Sequence, residues 1–284
     1  MKFDSTILSD FEKARGLEWI ETNGLGGFAS STVSGALSRR YHRLLVAALH
    51  PPVGRTVLLH KLDETVVVKN ESGENRYELS SNQFPGAVHP KGYSFLTRFE
   101  RDIFPEFYYG AGGVHVRKTI ACIHGENTTI VLYEVLEAPG SFKLELLPLC
   151  SSRDFHSLTH ANDVIGRHFL FDEGTFQTVN YPDGTELFIS VPGSEFKEQQ
   201  GWYYRFEYSV EQYRGLDFHE DLYSHGIFSV ALKKGDSLGV IISTEDTSGR
   251  NALKVLATER KRRENIVRDF SFDDTIRRLV LAAD

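Results

Sequence analysis

Between Glu18 and Leu49 the chain gathers Asn23, three glycines (Gly24, Gly26, Gly27) and the cluster Arg39, Arg40, Tyr41, His42 ahead of an apolar run. Forked guanidinium donors, an amide, an imidazole and a flat ring are groups that recognise a polyhydroxylated ligand such as a sugar. Closely spaced glycines let backbone amides approach such a ligand. The same residues also read as a glycine-rich turn before a half-buried strand, and the segment is expected to contribute little to a core.

A second set follows the apolar run that ends at Cys150: Arg153, Asp154, Phe155 and His156. These either lock a turn through an ion pair or present planar polar groups beside an aromatic ring to sugar hydroxyls. Trp19, Tyr41, Trp202 and Tyr203 are the candidates for stacking on a sugar. Trp202 falls on the apolar face of an alternating run and reads as core, which leaves Tyr203, on the opposite face, as the better ligand.

Glycoside hydrolysis in its usual form needs two opposed carboxyl groups. Asp63 and Glu64 are adjacent, and neighbours on a strand point to opposite faces, so the expectation is one solvent-facing acid and one paired with an arginine. The run LDFHEDLYSHG concentrates Asp217, His219, Glu220, Asp221 and His225 without a regular metal-ligand spacing, and reads as a loop between strands that contacts sugar or a neighbouring domain. GLGGFA lacks the strand and helix that give a dinucleotide fingerprint its meaning, and neither a serine elbow nor a phosphate loop occurs. No catalytic residue, cofactor or metal site is therefore assigned.

The elements that must position these groups are mostly strands. From about Arg55 the pattern alternates with period two, broken by turn residues such as NESGEN (70–75), HGEN (124–127), APGS (138–141) and KKGD (233–236). Val114, Val116, Ile120 and Cys122 share one face, as do Phe142, Leu144 and Leu146, and Trp202, Tyr204, Phe206, Tyr208 and Val210 are expected to share another. So many half-apolar strands predict a mainly β fold, a large antiparallel β-sandwich. Helical spacing replaces the alternation between Ser248 and Arg268, with Arg260 to Arg263 as its solvated face, and after an FSF break Asp273 or Asp274 caps a second helix with an Ile276, Leu279, Val280, Ala283 stripe. That last stripe runs on to Asp284 without a stop signal, so more protein is expected beyond it.

A net charge of −7 argues against a nucleic-acid partner. No apolar run has the length of a membrane span and the charged start is unlike a signal peptide, so the expected setting is cytoplasmic, with Cys122 and Cys150 as small buried hydrophobes.

TNGLGGFASSTVSGALSRRYHRLLVAAL with PPVGRTVLLHKLDE, then LPLCSSRDFHSLT (147–159) and YRGLDFHEDLYSHGIFSV (213–230), resembles the N-terminal domain of bacterial and archaeal glycogen debranching enzymes of the amylo-α-1,6-glucosidase type, over most of residues 18–240. The resemblance implies a supersandwich similar to the one in front of glucoamylase catalytic barrels. It also implies domains at 1–245 (sandwich) and 246–284 (linker helix and first helix of an (α/α)6 barrel that carries the catalytic carboxylates). On this reading the chain alone is non-catalytic, its partners are that barrel and an α-glucan, and its glucan contacts are Asn23, Arg39, Arg40, Tyr41, His42, Arg153, Asp154 and Tyr203. A stand-alone aldose epimerase-like enzyme and a pure carbohydrate-binding module remain as alternatives.

Overall fold

The computed structural model describes every residue except Pro52, Ser72, Ser271 and Phe272, together with the side chain of Asp274. The middle of the NESGEN turn and most of the FSF break therefore lie outside the described residues.

Alternation with period two gives each strand one apolar face, and two such faces bury each other as the predicted sandwich. One sheet has nine strands, in spatial order Lys2–Asp4, Leu96–Arg101, Pro105–Ala111, Val114–Cys122, Thr128–Glu137, Ser237–Ser243, Glu186–Ser190, Thr175–Val179 and Phe169–Asp172. The other has eight: Glu195–Glu207, His219–Leu232, Phe142–Asp154, Val53–Asn70, Leu45–His50, Phe28–Thr32 and Glu18–Thr22 in order, with Gly73–Glu78 paired to Val53–Asn70. All of these pairings are antiparallel. Val114, Val116, Ile120 and Cys122 from one sheet meet Phe142, Leu144 and Leu146 from the other in one core. Both cysteines are free and buried.

Among the described residues five α-helices decorate the sandwich: α1 (Ser5–Leu8), α2 (Phe11–Gly16), α3 (Ser209–Tyr213), α4 (Ala252–Val267) and α5 (Asp274–Ala283). The first three are too short to carry a readable apolar stripe. Asn251 caps α4 by accepting from the Lys254 amide, and Asp273 caps α5 by accepting from the amides of Thr275 and Ile276. Ala252, Leu256 and Val267 of α4 pack with Ile103, Phe104, Ala121 and Ile130 on the outer face of the nine-stranded sheet. Gly239 allows that approach: a Cβ there would stand 2.5 Å from Ala252 Cβ.

Three expectations are corrected by tertiary packing. The segment from Glu18 to Leu49 is core-building after all. It forms three strands, and Trp19, Ala29, Val33, Leu44 and Leu45 are buried, with Trp19 edge-on against Phe107 in the core. The strand Glu195–Glu207 loses its alternation at a bulge between Tyr203 and Phe206, where Arg205 takes φ +60°. Tyr204 is consequently exposed, and Trp202 is only half-buried. The Arg260 to Arg263 run is not wholly solvated: Arg263 is buried, donating to Glu21 Oε2 at 2.5 Å, Glu259 Oε1 at 2.8 Å and the Cys122 carbonyl at 3.1 Å.

Candidate functional site

Two connections at one end of the eight-stranded sheet create an exposed polar and aromatic rim. The chain between Phe28–Thr32 and Leu45–His50 carries Arg39, Arg40 and Tyr41, and the chain leaving Phe142–Asp154 carries Phe155 and His156. The Tyr41 and Phe155 rings are 5.7 Å apart, and Tyr41 Oη lies 3.1 Å from His156 Nδ1. Asp154 locks the turn by accepting from the His156 amide at 2.8 Å. Arg55 lies over Phe155, 5.3 Å from the ring centroid, and its Nε donates to the Gly26 carbonyl at 2.6 Å, which ties the glycine loop to the aromatic pair. Gly26 has φ +96°, a conformation that admits glycine. Arg40 donates to the carbonyls of His156 and Asp217.

Beside the rim, Ile20, Phe28, Arg39, Tyr41 and Arg101 border a shallow recess. Arg39 Nε donates to Glu18 Oε1 at 2.8 Å, and His42 Nε2 stands 3.8 Å from the same oxygen. The Ser38 amide donates to His42 Nδ1, so the imidazole proton sits on Nε2 and points at Glu18. Burial holds His42 below the ordinary histidine range, hence neutral, and the His42 and Arg39 contacts bring the Glu18 carboxyl down to about 2.

Under the rim lies a fully buried carboxylate, Glu220. It accepts from Arg43 Nη2 at 2.6 Å, Arg153 Nε at 2.5 Å, Tyr208 Oη at 2.5 Å and the Thr159 amide at 3.0 Å. Arg153 continues outward to the carbonyls of Arg40 and Asp154. A second buried acid, Glu211 of α3, accepts from the Arg40 amide at 3.3 Å and pairs with the Arg40 guanidinium at the same distance. Buried charges persist where such networks satisfy them, and this one holds both rim connections in fixed positions.

The structure brings Arg39, Arg40, Tyr41 and Asp154 to the rim. It places the other expected contacts elsewhere. Asn23 is buried and closes the glycine loop, accepting from the Leu25 and Gly27 amides and donating to the Glu126 carbonyl. His42 and Arg153 are buried within the network. Tyr203 lines a different groove with Asp63, Phe84 and Phe206. Glu220 and His225 lie on the strand His219–Leu232 rather than on a loop, and both are buried. Glu64 turns inward to Lys118 and Tyr133 rather than to the expected arginine among the described residues, and Asp63 pairs with Lys61 at 3.0 Å. Sequence reading left Arg43 and Arg55 aside, placed Tyr208 only on the apolar face of its run, and put Glu220 in a loop. Phase gave no signal for Glu220, because its strand is buried on both faces from Leu222 to Gly226. Among the described residues no group of histidine, cysteine and acidic side chains has the arrangement of a metal site.

The family model described as "Glycogen debranching enzyme N terminal" matches residues 17–239. The chain belongs to that family. A search of curated proteins gives no match. Among solved structures, this debranching-enzyme N-terminal domain is similar to a bacterial glucoamylase crystallised with acarbose, at 11% identity and a TM-score of 0.40, over 84% of this chain and 32% of that one. The chain thus spans about a third of that glucoamylase's length. No helix among the described residues is long and apolar enough to cross a membrane.

Proposed function

We propose that this domain serves a debranching hydrolase as a non-catalytic front unit (residues 1–245), that residues 246–284 lead into an (α/α)6 barrel bearing the catalytic carboxylates, and that the rim contacts α-glucan. The observation that carries the reading is the family match across residues 17–239. The rim chemistry supports the glucan part: the half-buried Tyr41 and Phe155 form an aromatic cluster with His156, and Arg39 and Arg55 bring guanidinium donors beside it. The non-catalytic part is supported by the buried acids. Glu21, Glu64, Glu211 and Glu220 are each paired with an internal cation, which holds them as structural anions rather than as a protonated acid beside an ionised one. The amphipathic α5, with Leu279 64% exposed, supports a partner domain against that face.

The test has two arms. The purified chain, incubated with an α-1,6-branched glucan, is expected to release no glucose, and turnover overturns the division of labour. In affinity electrophoresis through glycogen the chain is expected to be retarded, and a Tyr41→Ala/Phe155→Ala double variant is expected to migrate as in a glycogen-free gel. Equal retardation of the two overturns the rim assignment.

A further inference from the structure

Tyr203 and Asp63, neither of which belongs to the rim, meet in a groove of about 280 Å3 on the outer face of the eight-stranded sheet. Strand register brings its polar groups together. Glu145, Thr65 and Glu78 are cross-strand neighbours in one row over three strands, and Leu147 stands opposite Asp63 two residues along, on the same face. Leu146 and Glu64, the residues in between, turn inward. A two-stranded hairpin, Ser81–Phe84 with Ala87–Lys91, borders the groove with Asn82, Phe84 and His89. The Phe84 ring stands 4.9 Å from Phe206, and the half-buried Tyr203 packs into the same apolar cluster.

The inner charges of this groove are already met by the protein. Asp63 pairs with Lys61 at 3.0 Å and accepts from Asn82 Nδ2 at 2.8 Å, and Glu145 accepts from both terminal nitrogens of Arg76. Glu78 lies in the field of the same guanidinium and is exposed, so solvent screens the one negative charge left over. The groove therefore calls for neither a cation nor an anion. A carboxylate offers about four acceptor positions, more than these internal bonds occupy, and the bonds hold its oxygens in place before any ligand arrives. Anchored acceptors beside the aromatic wall of Tyr203 and Phe84, over the apolar floor of Leu147 and Ile227, match a ring with hydroxyl donors at its edge and C–H groups on its face. We propose that this groove is a second saccharide site, in which Asp63 and Glu145 accept from the hydroxyls of a pyranose unit of α-glucan and the Tyr203 ring lies against its face. The choice of an α-linked glucose chain rests on the proposed function, whereas the groove chemistry asks only for a pyranose.

Titration calorimetry with maltotriose tests this on the full chain carrying Tyr41→Ala/Phe155→Ala, in which the rim no longer contributes. Saturable binding is expected, and Tyr203→Ala added to that background is expected to weaken it at least about tenfold through loss of the stacked ring. Glu145→Gln, a change at the sheet surface, is expected to weaken it at least about threefold and carries the test should Tyr203→Ala fail to fold. No binding to the rim variant overturns the groove site and leaves the rim to the glycogen gel. Undiminished affinity in both groove variants overturns it as well. Saturable binding of spermidine that Glu145→Gln weakens, with no response to maltotriose, overturns the saccharide assignment in favour of a cationic ligand. An equal response to cellotriose overturns the α-glucan choice and leaves the pyranose site standing.

Discussion

Two buried carboxylates, Glu220 and Glu21, are each gripped by arginines, yet they organise different things. Glu220 collects Arg43, Arg153, Tyr208 and the Thr159 amide, and its partners reach onward into two surface connections. Glu21 accepts from Arg263 of α4 and from Arg101 at 3.3 Å, and so fastens one helix to the sandwich. Burial raises the Glu21 carboxyl above its ordinary range even with these arginines beside it, which marks the desolvation cost of such a site. The first cluster shapes a surface; the second docks an element. Elementary chemistry is the same in both, and the role follows from what the arginines touch next.

Removing each centre should separate the two roles. Glu220→Ala leaves Arg43 and Arg153 buried together without their carboxylate, and a loss of about 3–5 kcal/mol in urea unfolding is expected, enough to unfold much of the population at 37 °C. Arg263→Met is expected to cost less, about 1–3 kcal/mol, because Arg101 still faces Glu21 and Arg262 still faces Glu259; hydrogen exchange should quicken in α4 and leave the rim protected. If exchange quickens equally at the rim, the two clusters are not independent.

Smaller effects sharpen the contrast at the surface. Tyr41→Ala is expected to change stability by no more than about 0.5–1.5 kcal/mol, since the half-buried ring loses two ring neighbours, Phe155 and His156, and one hydrogen bond; calorimetry checks this. The pH dependence tests a third buried group. Burial among aromatic rings brings His225 down to about 4, below the 6.5 of an exposed histidine, so the folded state holds it neutral. That contribution is fully present above pH 6.5 and is lost as pH falls from 6.5 through 4, because the unfolded chain takes up the proton first. The decline in Tm over that window should be shallower for His225→Gln. Glu18 runs in the same direction at lower pH: its depressed carboxyl favours the fold above about 4.5 and ceases to as pH falls toward 2, the smallest of these effects because the side chain is largely solvated.

The two-sheet architecture was legible because alternation along a strand is a local property, visible in Val114 to Cys122 and in Phe142 to Leu146 without knowledge of any partner strand. The cap of α5 at Asp273 was legible for the same reason. Arg263 was misread because a basic run on a helix carries no mark of which member faces the sheet; that choice depended on Glu21, which is 242 residues away in sequence. The alternation read through Trp202, Tyr204 and Phe206 failed where a bulge shifted the register by a residue, and a bulge is settled between strands.

Sequence by itself determined that this chain makes antiparallel strands with apolar inner faces, that it ends the described region in capped helices, and that it carries the family's residues from 17 to 239. Which polar residues meet was decided only by tertiary structure. Tyr41, Phe155 and Arg55 come from three separate segments, and so do Arg43, Arg153 and Glu220. Side-chain chemistry states what each group can bond to; the pairing of strands distant in sequence decides which groups stand close enough, and dry enough, to do so.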